Sequence, residues 1–240
     1  MQEMIIDILK NNKDISGWSL KVIDEKREEL YLIFNEVEQI RDVNELSYNV
    51  TIYVDKKDGE NIGTGTSTMV FIPGESYEDI EKKINDSIFA SSLALNPKFE
   101  LDDYKENDID FDNCDPDVRK NRSDIIENIK NKIASIMKDE KDVKLASSEI
   151  FVKFQQIKHI NSKGLDYSFD KSEIMLEAVF MTGEGENEVE SHLIRSERNM
   201  EILDIDNLIK KYIQFAKEKV TADLPVSGKF DVVFTDEALS

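Results

Sequence analysis

The chain has 240 residues, is 40% hydrophobic, and sets 51 acidic against 31 basic side chains for a formal charge of −20. That hydrophobic share supports one large domain or two small ones and argues against wholesale disorder. So negative a chain repels phosphate backbones at long range, and no dense Lys/Arg block offsets this, so direct nucleic-acid or anionic-membrane contact is not expected.

The opening residues MQEMIIDILKNN lack the basic start, apolar run and cleavage point of a signal peptide. Within them Met4, Ile5, Ile8 and Leu9 share a helical face. After Ser16-Gly17 the period changes to two. Trp18, Leu20 and Val22 alternate with polar residues, which predicts a strand with one buried face. Lys26-Arg27-Glu28-Glu29 reads as a polar turn. Leu30, Leu32 and Phe34 predict a second strand that continues through Val37 and Ile40. Tyr48, Val50, Ile52 and Val54 mark a third, and Asp58-Gly59 suits the hairpin that leads to a threonine-rich strand over Ile62 to Phe71. From an N-cap at Ser76, Ile80, Ile84, Ile88 and Leu95 form a helical stripe that Asn96-Pro97 ends.

Glu100 to Arg122 is highly charged without a sustained period and reads as a surface linker. Ser123 to Met137 is helical again. Ile150, Val152 and Phe154 alternate as a strand, followed by a turn at Asn161 to Gly164. Strands follow over Leu165 to Phe169, Ile174 to Phe180 and Val189 to Ile194, the last two joined by a Gly183 to Asn187 hairpin. Asp204 opens a closing helix with Ile205, Leu208, Ile209, Tyr212, Ile213 and Ala216 inward. The two halves repeat the same order of parts, and KKDGEN and TGEGEN occupy the same place in each, so an internal repeat is expected. The fold class is α+β, two units of helix, antiparallel β-meander and helix.

No catalytic, cofactor-binding or metal-binding residue stands out. His159 and His192 share no ligand spacing, and each falls in a predicted strand. Cys114 lies among acids, which disfavour a reactive thiolate; as the lone cysteine it makes no internal disulfide, which suits a reducing, cytoplasmic compartment. Gly63-Thr64-Gly65-Thr66-Ser67-Thr68 follows a hairpin and lacks the lysine of a phosphate loop, so a strand with close backbone approach is the reading. Ser16, Ser67 and Ser227 each lie beside or near a glycine, but none makes a nucleophile elbow. Acid pairs such as Asp102-Asp103 and Glu186/Glu188 are what chance gives among 51 acids.

Three stretches resemble the TldD/PmbA family, the modulators of DNA gyrase. GENIGTGTSTMVFIPGESYEDIEKKINDSIFASSLALNPKFEL is similar to that family's first domain. INSKGLDYSFDKSEIMLEAVFMTGEGENEVESHLIRSER is similar to its central domain, and LPVSGKFDVVFTDEALS to the junction into its C-terminal domain. The resemblance implies an N-terminal domain over residues 1–104 and a central domain over 105–222. Residues 223–240, with the apolar Phe230, Val232, Val233 and Phe234, would start a C-terminal domain that is absent from the chain and leave those four without sheet neighbours. The family's TldD-type subunit carries zinc in a His-Glu-x-x-x-His helix beyond that junction. No position here matches it, so no zinc or other cofactor is expected in this chain, and zinc only in a TldD-type partner. Thr235 to Leu239 resemble the PmbA (TldE) branch. The implied role is the non-catalytic half of a peptidase subunit, forming the wall and dimer contacts of a chamber for unfolded peptides. Its partner is a TldD-like subunit or a second copy. An acidic wall would favour cationic peptides. A free-standing protein-interaction module is the alternative.

Overall fold

Residues 17–33 form one continuous strand, so the chain runs straight through the charged stretch at Lys26 to Glu29. The computed structural model describes residues 1–103, 114–223 and 226–234. In chain order it has α1 (Gln2–Asn11), β1 (Gly17–Ile33), β2 (Glu36–Asp58), β3 (Asn61–Phe71), α2 (Tyr77–Ser91) and the short β4 (Asn96–Pro97). Then come α3 (Pro116–Lys120), α4 (Arg122–Asp139), β5 (Val143–Asn161), β6 (Asp166–Thr182), β7 (Val189–Glu197), α5 (Met200–Leu203) and α6 (Ile205–Val220).

The polar turn expected at Lys26 to Glu29 does not form. Charged residues that alternate along a strand are satisfied by cross-strand and same-face partners, so they need no turn. The chain reverses at Phe34-Asn35 instead, with φ of 49° and 68°, the backbone of a two-residue type I′ hairpin. Val37 and Ile40 therefore belong to the returning strand β2. The strands expected at Leu165 to Phe169 and Ile174 to Phe180 are likewise one continuous β6. Of the expected linker, Pro116–Lys120 is a short helix capped by Asp115, while residues 104–113 lie outside the described residues. The N-cap at Ser76 is in place, its Oγ accepting from Asp79 N at 3.1 Å.

The strands form one seven-stranded antiparallel sheet in the order β4-β3-β2-β1-β5-β6-β7. Each run of helix, three long strands and helix thus folds as a meander, and the two runs meet edge to edge where β1 pairs β5 from Ser19↔Asn161 to Ile33↔Ser147. The described helices cover one face. Trp18, Leu20, Leu30 and Leu32 are all even-numbered and bury on that face. The first two join α1 and α2 in a core with Val50, Ile52, Phe71, Ile80 and Ile84. The last two join α4 and α6 in a second core with Ile129, Ile133, Ile150, Phe180 and Ile209. β1 serves both cores, and so does β5, with Ile160 in the first and Ile150 in the second.

Residues 226–234 form no strand, and Phe230, Val232, Val233 and Phe234 are 62% to 84% exposed. Thr235 to Leu239 lie outside the described residues. Among the described residues no helix is long and apolar enough to cross a membrane.

Candidate functional site: the open face of the sheet

With the helices on one side, the odd-numbered side chains of β1, β2 and the central parts of β5 and β6 project from the other. This face is built from cross-strand rows. In its middle, Arg27 Nε donates to Glu29 Oε1 at 2.6 Å and Arg27 also bridges Glu25, which accepts from Gln155 Nε2 at 2.6 Å. Tyr31 OH donates to Glu29 Oε2 at 2.7 Å, and Arg41 lies 3.7 Å from the same carboxylate. Glu29 is buried, which pushes its pKa up, but the hydrogen bonds from Tyr31 and Arg27 and the charges of Arg27 and Arg41 hold it below the ordinary glutamate value. Further along, Lys153 and Lys171 each approach Glu173 at 3.4 Å, and Ser196 Oγ donates to it at 3.0 Å. Burial raises the Glu173 carboxyl, and Lys153, Ser196 and Lys171 bring it below its ordinary value.

The end of the face nearest α1 is different in kind. Thr51 and Thr68 share a hydrogen bond of 2.9 Å. Asp55 accepts from Thr64 Oγ1 at 2.7 Å and pairs with Lys98 at 3.0 Å, which ties the segment after α2 across this end. There Phe99 meets Tyr53 edge to face at 5.3 Å, and Asn161 Nδ2 donates to Asp102 O at 2.9 Å. Tyr53, Phe99 and Leu101, with Ser16, Gly17 and Lys163, line a cavity of 130 Å³ beneath that segment.

The residues weighed in the sequence fall as follows. His159 is in β5, its Nδ1 3.1 Å from Tyr167 OH, and His192 is in β7, its Nε2 2.9 Å from Glu177 Oε1. They stand in different rows of the face. Among the described residues no group of three or more histidine, cysteine, aspartate or glutamate side chains is disposed to hold a metal. Gly63 and Gly65 lie within β3, and a Cβ on Gly65 would stand 1.7 Å from Ser91 O at the end of α2. Close backbone approach is therefore what these glycines serve. Cys114 is half-buried against the second core.

The open face is not uniformly acidic. Its buried and half-buried carboxylates, Glu25, Glu29, Asp55, Glu149, Glu173 and Glu177, lie among Lys21, Arg27, Arg41, Lys98, Lys153 and Lys171. Most of the charge of −20 is carried elsewhere, so a field spread evenly over the face is not what it offers. Sequence reasoning missed Phe151, Met175 and Val179 as members of this face. The run Ile174 to Met181, apolar at both parities except for Glu177, was the available signal, since such runs mark strands with apolar side chains on both faces.

No family model and no curated protein matches the sequence. Solved structures do match. A proposed modulator of DNA gyrase from Thermotoga maritima aligns with a TM-score of 0.65 at 16% identity, over 95% of this chain and 49% of that one. TldE from Thermococcus kodakarensis aligns with a TM-score of 0.59 at 13% identity, over 89% of this chain and 47% of that one. A proposed modulator of DNA gyrase from Bacteroides thetaiotaomicron gives 0.62 at 20% identity, over 92% and 48%. The chain spans about half the length of each. The resemblance read from the sequence thus recurs in the coordinates, and the chain has the fold shared by TldE and these modulator-of-gyrase structures over about half of their length.

Proposed function

We propose that the chain is the N-terminal, non-catalytic half of a TldD/PmbA-like peptidase subunit of the cytoplasm. Residues 1–104 and 105–222 are its two α+β domains, and 223–240 lead towards a C-terminal domain. The open sheet face is one wall of a chamber for unfolded peptides, and the subunit assembles with a second copy or with a zinc-bearing TldD-like partner. The observation that carries this reading is the one-sided helix layer. It leaves a face on which Tyr31, Phe151, Met175, Val179 and Ile194 stand among ion pairs, more apolar than a solvated sheet face requires.

A site-specific label tests it. In a Cys114→Ser background, a fluorophore on Thr68→Cys reports the open face and one on Glu81→Cys reports the outer side of α2; both positions are exposed. An unstructured peptide should change the emission of the first label and leave the second unchanged. Equal response of both labels, or of neither, rejects the wall.

One observation favours the second reading, a free-standing interaction module. Among the described residues, 36–47 of β2 pair only with β1, leaving an open strand edge where Val37 and Ile40 are 48% and 69% exposed. A partner that adds to this edge would protect its backbone amides from hydrogen exchange without touching Thr68.

A further inference from the structure

The buried and half-buried carboxylates of the open face divide into two groups. Glu25, Glu29, Asp55 and Glu173 each form an ion pair with a lysine or arginine. Glu149 and Glu177 do not. Among the described residues, neither has a lysine or arginine within ion-pair distance, and Glu177 meets only His192. The register sets these two directly opposite each other on β5 and β6. Like charges so placed destabilise a sheet.

Their surroundings are apolar. The row that holds them runs Tyr31, Glu149, Glu177, Ile194 across β1, β5, β6 and β7. The row on one side contributes Phe151 and Met175, and the row on the other contributes Val179. Tyr31 and Phe151 meet edge to face at 5.7 Å, which fixes part of the frame. Burial together with Glu177 and Glu29 pushes the Glu149 carboxyl above its ordinary value, and the charge of Arg41, whose guanidinium lies over the Tyr31 ring 5.0 Å from its centroid, offsets this only in part.

We propose that Glu149 and Glu177, framed by Tyr31, Phe151, Met175, Val179 and Ile194, form a subsite for an arginine or lysine side chain of an extended peptide, with apolar residues beside it. The inference rests on the reading of this face as a peptide wall. It names what the wall selects. A guanidinium offers donors to two carboxylates at once, and its three-carbon stem covers apolar surface while the head stays on charge. A thioether such as Met175 adapts to different neighbours, which suits a surface that meets many sequences. The ligand supplies the close cationic partner that neither glutamate finds in a lysine or arginine among the described residues.

The test uses the whole chain and labelled unstructured peptides followed by fluorescence anisotropy. One peptide carries arginine between two leucines, a second replaces that arginine by citrulline, and a third replaces the leucines by glycine. The arginine peptide should bind roughly tenfold more tightly than the citrulline peptide, the scale of a hydrogen bond to a charged group. Glu149→Gln with Glu177→Gln should remove that preference and leave the citrulline peptide unaffected. Glu78→Gln with Glu81→Gln on α2 makes the same change in net charge and should leave the preference intact. Equal binding of the arginine and citrulline peptides overturns the subsite while leaving the wall standing. So does an equal loss of preference in the α2 variant, which would mean a general field. Equal binding of the glycine peptide overturns the apolar frame. If no peptide binds, the wall itself is rejected and the subsite with it.

Discussion

The two halves of the sheet share a scaffold and differ in what they place on it. Among the described residues, the core beside the first holds 13 buried side chains under α1 and α2, and the core beside the second holds 24 under four helices. Beside the Arg27 cluster on β1, the first presents threonines and a tied-down segment on its open face; the second presents the Lys153–Glu173 pair, methionines and two glutamates set directly opposite each other. The order of elements is kept because each unit must cover a three-stranded meander on one side. The open face is under no such requirement, since an antiparallel sheet tolerates polar or apolar side chains there. The divergence therefore lies where folding leaves the choice of residue free.

The sharpest way to break this comparison is to ask whether the halves are energetically separate. Phe71 and Phe180 are fully buried, one in each core. Either change to alanine should cost about 3–5 kcal/mol. Trp18, the one tryptophan, sits in the smaller core, so its fluorescence reports that half while circular dichroism reports both. Because β1 serves both cores, the two signals should still fall together in urea for each variant; two separate transitions would divide the molecule in two. Next in size are the two glycines that the backbone requires. Gly65→Ala should cost about 3 kcal/mol from overpacking against Ser91 O. Gly183→Ala, at a φ of +87° with Asn187 O 2.2 Å from the added carbon, should cost about 2 kcal/mol. Urea midpoints rank the two.

Asn161 joins the halves, accepting from Lys163 N at 2.8 Å and Leu165 N at 3.1 Å while donating to Asp102 O. Asn161→Ala should cost about 2 kcal/mol, since those groups are left unpaired, whereas a surface asparagine change should be silent. Smaller again is the contrast between Glu173 and Glu149. The folded pKa of Glu173 is lowered, so its stabilisation is present above the unfolded value of about 4.3 and is lost as pH falls through the folded one. Glu149 has a raised folded pKa, so its contribution is complete below the unfolded value and lost as pH rises through the folded one. At neutral pH Glu173→Gln should lower stability and Glu149→Gln should raise it, each by about 0.2–1 kcal/mol. Both differences should shrink once the solution is acid enough to protonate both carboxyls, which urea unfolding across that range would read. The smallest effect concerns metal. Dialysed protein should hold no stoichiometric zinc, and its melting temperature should not move with chelator; about one tightly held zinc by elemental analysis would contradict this.

Much of the fold was legible because periodicity survives without context. Ile80 and Ile84, or Trp18 and Leu20, bury as their spacing predicts. The misreading at Lys26 to Glu29 arose because a run of charges looks like solvent-exposed chain. Only the pairing of β1 on both sides shows that Arg27 has Glu25 and Glu29 to hold it in the sheet. Asn35 was the better turn signal, being a residue type that tolerates positive φ. The open face was less legible still. Glu149 and Glu177 lie 28 positions apart and become neighbours only through the register that the turn after Asn161 sets between β5 and β6.

The shared edge between β1 and β5 has a practical meaning for anyone who cuts the chain. A nick between residues 103 and 114 would leave two pieces, each with a complete meander and its own helices. Each would also bare a long strand, with 15 residue pairs waiting for the other. Such pieces are poor candidates for life as separate domains and good ones for reassembly: expressed apart, each would be sticky, and mixed, they should restore the parent sheet. The seam that unites the molecule is thus also the place where it could be rebuilt from halves.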